Sequence, residues 1–220
     1  MAAPQTETTQ LEASYRKTKS RTIAVICLYA PAVIALGQSS LKATTLPERL
    51  LSLAMLLFCV ELARMARVDL DNIALIQPRL KDSQAEYSLL KTFRLTLLST
   101  LVLELLGFYG TWVSLQWGGA IVLFSQLWFN LLAGIQLWPK QAEAIEVFGP
   151  RQRIPVLVAN AMGLILLSLW TVETARLELA AGLLALVSLF LLIKYIGATI
   201  QPSSTQPAQT IDETIVSEKN

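Results

Sequence analysis

The sequence predicts an all-α protein: a polytopic transmembrane helical bundle of about six spans, with N- and C-termini in the cytoplasm. Three observations carry this expectation. Of the 220 residues, 15% are charged and 54% hydrophobic, whereas soluble domains average about 25% charged. The charges gather in short clusters, with long apolar runs between them. The basic clusters also fall on alternate connections, as orientation by the positive-inside rule requires.

Residues 1–21 are polar and end in Arg16, Lys17, Lys19 and Arg21. Low hydrophobicity predicts a disordered basic tail there. Residues 22–41 carry no charge and predict the first span, with Pro31 as a kink. Two other readings stay open. The basic flank, apolar core and small-residue end at Ala35–Gly37 resemble a cleaved signal peptide. Residues 22–68 could also form a re-entrant hairpin.

The second span, about 50–68, has a short apolar heart, followed by Glu61, Arg64 and Arg67. It can cross if the arginines snorkel and the bilayer thins. Pro47 and Glu48 suit a helix start. Residues 69–94 are polar, and Pro78 breaks them; beyond Arg79 come good helix formers that can run into the third span.

Between Leu95 and Pro139 the single charge is Glu104. That stretch is too long for one crossing of a core about 30 Å thick. It predicts spans at about 95–114 and 119–138, turning at Ser114–Gly119. Residues 139–153 are polar again. Spans follow at about 154–172 and 179–200, and a disordered tail at 201–220. Trp112, Trp117, Trp138, Trp170 and Tyr195 then fall near interfaces, where amphipathic rings prefer to sit. Trp128 does not, and is expected to pack inside or face lipid.

None of the polar pieces 1–21, 64–94, 139–153 and 201–220 can bury a core alone, so no soluble catalytic domain is expected. There is no histidine. That excludes His-ligated haem, HExxH zinc sites and His-based triads; the cofactor, if there is one, stays unknown. Cys27 and Cys59 sit in apolar runs and read as small buried hydrophobes. Two thiols do not complete a zinc shell, so no metal site is expected.

Glu104 is the leading candidate for chemistry. A carboxylate at mid-membrane is protonated, paired or facing a wet cavity. Gln126 and Asn130 share a face of the next span. With the turn centred on Trp117, they lie at the depth of Glu104, and a polar contact to one of them is expected. Glu61 and Arg64 are spaced for an interfacial ion pair. Ala159, Asn160 and Gly163 mark a helix-packing face. Asp69 and Asp71 form a DxD pair that could hold Mg²⁺ and a diphosphate; the plainer reading is a solvated loop capping a short helix.

The partners implied are the lipid bilayer and other membrane proteins, with no nucleic acid, because the basic residues are juxtamembrane. The leading functional expectation is a non-enzymatic subunit, assembly factor or scaffold of a membrane complex. The rival is a small solute or ion/proton transporter centred on Glu104, Gln126 and Asn130. No matched pair of broken helices in the two halves supports an inverted-repeat transporter. A third reading is a lipid-modifying enzyme using Asp69 and Asp71.

Overall fold

A computed structural model describes residues 5–80, 83–139, 143–171 and 173–200. The protein is predominantly α-helical. Among the described residues there are six helices: α1 (Gln5–Lys42), α2 (Leu46–Ile76), α3 (Gln84–Gly110), α4 (Leu115–Leu132), α5 (Ile154–Ser168) and α6 (Arg176–Ile200). By length and apolar character alone, two segments among the described residues are able to cross a membrane: Thr22–Lys42 and Arg176–Ile196. The other expected spans are not among the segments that meet that measure. α5 has 15 residues, fewer than a typical span. α2, α3 and α4 carry Glu61, Glu104, Gln126 and Asn130 within their apolar stretches.

Several boundaries differ from the sequence-based expectation. α1 is helical from Gln5, so the region expected as a tail without regular structure is helix up to the apolar run. Glu7, Gln10, Leu11, Glu12, Ala13 and the following basic residues are good helix formers, and a helix already nucleated downstream extends through them cheaply. Pro31 lies within α1. The tail expected at 201–220 lies outside the described residues. α2 runs unbroken to Ile76, past Arg67, Asp69 and Asp71. A 3-10 turn, Gln77–Leu80, then contains Pro78. Cys27 is exposed, against expectation, while Cys59 is buried.

The largest correction concerns the fourth span. α4 stops at Leu132, and β1 (Ile135–Leu137) follows where helix was expected to 138. The stop is Gly134, at φ +66°, a left-handed conformation that glycine adopts without a Cβ penalty. β1 pairs antiparallel with β2 (Ile145–Val147), Ile135 opposite Val147 and Leu137 opposite Ile145. A two-stranded antiparallel pair thus joins the end of the expected fourth span to the expected polar loop.

Packing follows chain order. α1 lies along α2, α3 along α4, and α4 along α5. One apolar core joins α1, α2, the later part of α3, the start of α4, the end of α5 and the start of α6; Tyr29, Leu51, Cys59, Phe108, Val122, Leu167 and Ala180 lie within it. A second, smaller core joins the end of α2, the start of α3 and the hairpin, through Ile73, Ile76, Leu80, Leu90, Phe93, Ile135 and Leu137. In it the polar stretch 64–94 packs its apolar residues against Ala133, Ile135, Leu137 and Ala144. The chain divides at Ser188 into two compact units; in the second, Lys194 Nζ lies 5.6 Å from the centre of the Phe190 ring.

The α3–α4 turn is closed by Gly107 and Gly118. A Cβ on Gly118 would lie 2.5 Å from Thr111 N and 2.6 Å from Gly107 O. Both are backbone atoms, which cannot rotate away. Around Gly37 there is nothing within 4 Å of an added Cβ. Gly118→Ala should therefore destabilise the protein by roughly 1–3 kcal/mol, as overpacking does, and Gly37→Ala should leave it unchanged or slightly stabilised. Thermal unfolding of the two variants in the same mild detergent checks this.

Candidate functional site

Several buried polar side chains in the first unit satisfy themselves on their own helix. Thr100 Oγ1 donates to Thr96 O at 2.8 Å, Ser125 Oγ to Val122 O at 2.7 Å and Asn160 Nδ2 to Val156 O at 2.9 Å. Apolar surroundings favour this economy, because an unpaired polar group there costs several kcal/mol. The Glu104 carboxylate has no such solution: it is an acceptor, and in mid-helix the backbone N–H groups near it are already used.

Glu104, 4% exposed, is met instead by two donors from other helices. Gln126 Nε2 on α4 donates to Oε1 at 2.5 Å. Tyr29 OH on α1 donates to Oε2. The Tyr29 ring also packs edge-to-face on Phe108, one turn further along α3, with centroids 6.1 Å apart. One carboxylate thus links α1, α3 and α4.

Asn130 is buried but does not reach Glu104; its Nδ2 donates to Gln126 O at 2.8 Å. The reason lies in the turn. It occupies Thr111–Ser114 and ends at Ser114, earlier than Ser114–Gly119. Ser114 Oγ accepts from Trp117 N and caps α4. The level of Glu104 on α4 therefore falls well before Asn130, and Gln126, one helical turn nearer, reaches it with its long side chain, which leans toward the N-terminus of α4. Tyr29 is the partner that sequence reasoning missed. A tyrosine in an apolar run is a signal that its hydroxyl needs an acceptor, but nothing in the sequence says where that acceptor lies.

Beside Glu104 is a cavity of about 20 Å³, lined by Asp69, Thr100, Gln126, Leu62, Met65 and Phe129 among others. That is room for about one water molecule. Asp69 is therefore a half-buried residue of α2 beside this cavity rather than part of a solvated loop. Its neighbour Asp71 turns elsewhere, with Oδ2 3.8 Å from Arg67 Nε. Side chains two apart on a helix diverge by about 200°. On one continuous helix Asp69 and Asp71 therefore point to different sides of α2. No group of three or more Asp, Glu, Cys or His able to hold a metal occurs among the described residues.

Arg153 was also missed. It is 8% exposed. Nη2 donates to Ile135 O at 2.8 Å and Nε to Phe148 O at 3.3 Å. The guanidinium lies 5.5 Å from the Phe129 ring centre and 5.2 Å from that of Phe148. Burial draws its pKa below the ordinary value, and the charge of Asp69 works in the opposite sense. Arg153 fastens the hairpin to the foot of α5 and the end of α4.

Glu61 and Arg64 form a two-pronged ion pair: Nη2 to Oε1 at 2.8 Å and Nε to Oε2 at 3.0 Å. Glu61 is buried and Arg64 exposed. Gly163 packs under Leu123, whose Cδ1 would lie 3.0 Å from an added Cβ. Ala159 is partly buried and Asn160 buried on the same helix. Trp112 and Trp117 are exposed at the α3–α4 turn, whereas Trp170 is buried beneath Arg176, 5.9 Å from the ring centre. Trp128 is part-exposed, and its Nε1 donates to Ser99 Oγ at 3.1 Å.

No protein-family model, no curated protein and no solved structure matches this chain.

A double-mutant cycle on Tyr29→Phe and Glu104→Gln should show a coupling of about 0.6–2 kcal/mol, the range for interhelical hydrogen bonds in apolar surroundings. Asn160→Ala, whose side chain bonds Val156 O on α5, should be additive with Glu104→Gln within about 0.5 kcal/mol. Unfolding by added denaturing detergent, followed by circular dichroism, measures both.

Proposed function

We propose that the chain is an integral membrane protein of six spans with a non-enzymatic role, as a subunit, assembly factor or scaffold of a membrane complex. The observation that carries this is the use of Glu104. Both of its oxygens accept from neighbouring helices, so the most chemically capable side chain in the apolar core holds helices together. The cavity beside it admits about one water, too little for a solute to pass.

Two features support six spans. The links α1–α2, α3–α4 and α5–α6 are tight and poor in basic residues. The other connections carry the basic clusters, and there α1, α2 and α3 run on well beyond their apolar stretches. Short links on one side and basic extensions on the other match insertion with the N-terminus inside. The outer faces also carry Ile34, Leu41, Val102, Leu106, Val113, Phe124, Ile165 and Leu192, all exposed. A water-soluble monomer rarely presents so much large apolar surface.

A second reading, a small ion or proton transporter centred on Glu104, Gln126 and Asn130, has one observation in its favour: Asp69 and Glu104 line a common cavity. The third reading, a lipid-modifying enzyme using Asp69 and Asp71, has these two carboxylates on different sides of one helix.

In mild detergent the protein should co-purify with a stoichiometric membrane partner, identified by mass spectrometry, and Glu104→Gln should retain that partner. Loss of ion flux in reconstituted vesicles on Glu104→Gln, with no partner recovered, would favour the transporter. In sealed vesicles, protease should cut the α2–α3 and β1–β2 connections from one side. Cutting from opposite sides would refute the six-span topology.

A further inference from the structure

A second cavity, of about 40 Å³, lies between the end of α2 and the first turns of α3. Ile73 and Leu90, 5% and 3% exposed, form its floor. Gln77, Tyr87, Lys91 and Arg94 line it and are exposed. Tyr87, Leu90, Lys91 and Arg94 follow the i, i+3, i+4, i+7 spacing, so α3 presents them on one face. The lining therefore offers an ammonium, a guanidinium, a phenol and an amide, and no acidic residue. Among the described residues, neither Lys91 nor Arg94 is in an ion pair or hydrogen bond. Two adjacent cations with neutral donors beside them suit a tetrahedral oxyanion.

A second observation points to what carries that anion. Beyond Arg94 the helix continues with Leu95, Leu98 and Val102, 61%, 42% and 58% exposed. They succeed Lys91 and Arg94 at steps of three and four, so the basic rim passes directly into an uncovered apolar stripe. A free phosphate makes no use of such a stripe, whereas an acyl chain lies along it.

We infer that this pocket binds a phosphate group, and that the group belongs to an anionic phospholipid whose acyl chain follows Leu95, Leu98 and Val102. The inference rests on the six-span reading, which sets the start of α3 at the cytoplasmic face, where anionic headgroups lie and basic pockets between helices capture them.

The test is native mass spectrometry of the full chain in detergent, with added phosphatidylglycerol or phosphatidylcholine, and a parallel titration with inorganic phosphate. Phosphatidylglycerol should be retained over phosphatidylcholine. Lys91→Gln and Arg94→Gln should each weaken retention about fivefold, and together about twenty-five-fold. Lys91→Arg should keep it. Arg151→Gln removes an exposed basic residue on the same side of the proposed topology and should have little effect. Retention of both lipids alike overturns the inference, as does an Arg151→Gln loss equal to that of Lys91→Gln. Binding of inorganic phosphate alone, lost in the same two variants and with no lipid preference, keeps the phosphate site and overturns the lipid. Failure of the membrane reading shows separately: the chain would then stay monodisperse without detergent, and the phosphate arm alone would decide the site.

Discussion

A carboxylate set among apolar side chains has to be met by donors, and no helix can supply them from its own backbone. The folded arrangement of α1, α3 and α4 answers that requirement at Glu104. Tyr29 and Gln126 come from segments 75 residues before and 22 residues after it in sequence. Hydrophobic contact alone leaves helices free to slide and rotate against one another. Two directional bonds to one residue fix the register of both neighbours at once. The remaining buried hydroxyls and amides act mostly within single helices, so this cluster carries much of the specificity of the arrangement.

Close approach makes the cluster possible. Gly107 and Gly118 bring the backbones of α3 and α4 nearly into contact at the turn. From there the two helices run side by side, and a glutamine side chain suffices to span the gap one to two turns away. At the other end the geometry is set differently. Gly134 stops α4, the hairpin turns the chain back, and Arg153 is held between two aromatic rings while bonding two carbonyls. The guanidinium is suited to that place, since its flat faces stack while its edges donate.

Much of this was legible in the sequence, and the rest was hidden for identifiable reasons. The helical class, the turn between α3 and α4, the Glu61–Arg64 spacing and the prominence of Glu104 all follow from local pattern. The contact of Glu104 with α4 was also foreseeable, because a tight turn makes two helices neighbours. Its exact partner was not, since a turn shifted by a few residues changes which side chain lies level. Gly134 was readable as a helix stop and was outweighed by the apolar run around it. Tyr29 and Arg153 were not readable, because their roles depend on segments distant in the chain. The polar stretch 64–94 does not announce a core of its own, because the second core depends on Ala133, Ile135, Leu137 and Ala144, which lie far along the chain.

Chain order gives the Glu104 cluster a sequence in time. A ribosome delivers Tyr29 first, then the acid, and the amide last. On the six-span reading the carboxylate therefore reaches the bilayer with one donor already waiting, and the second arrives as soon as the short turn is complete. The most awkward residue of the chain need never wait alone in lipid.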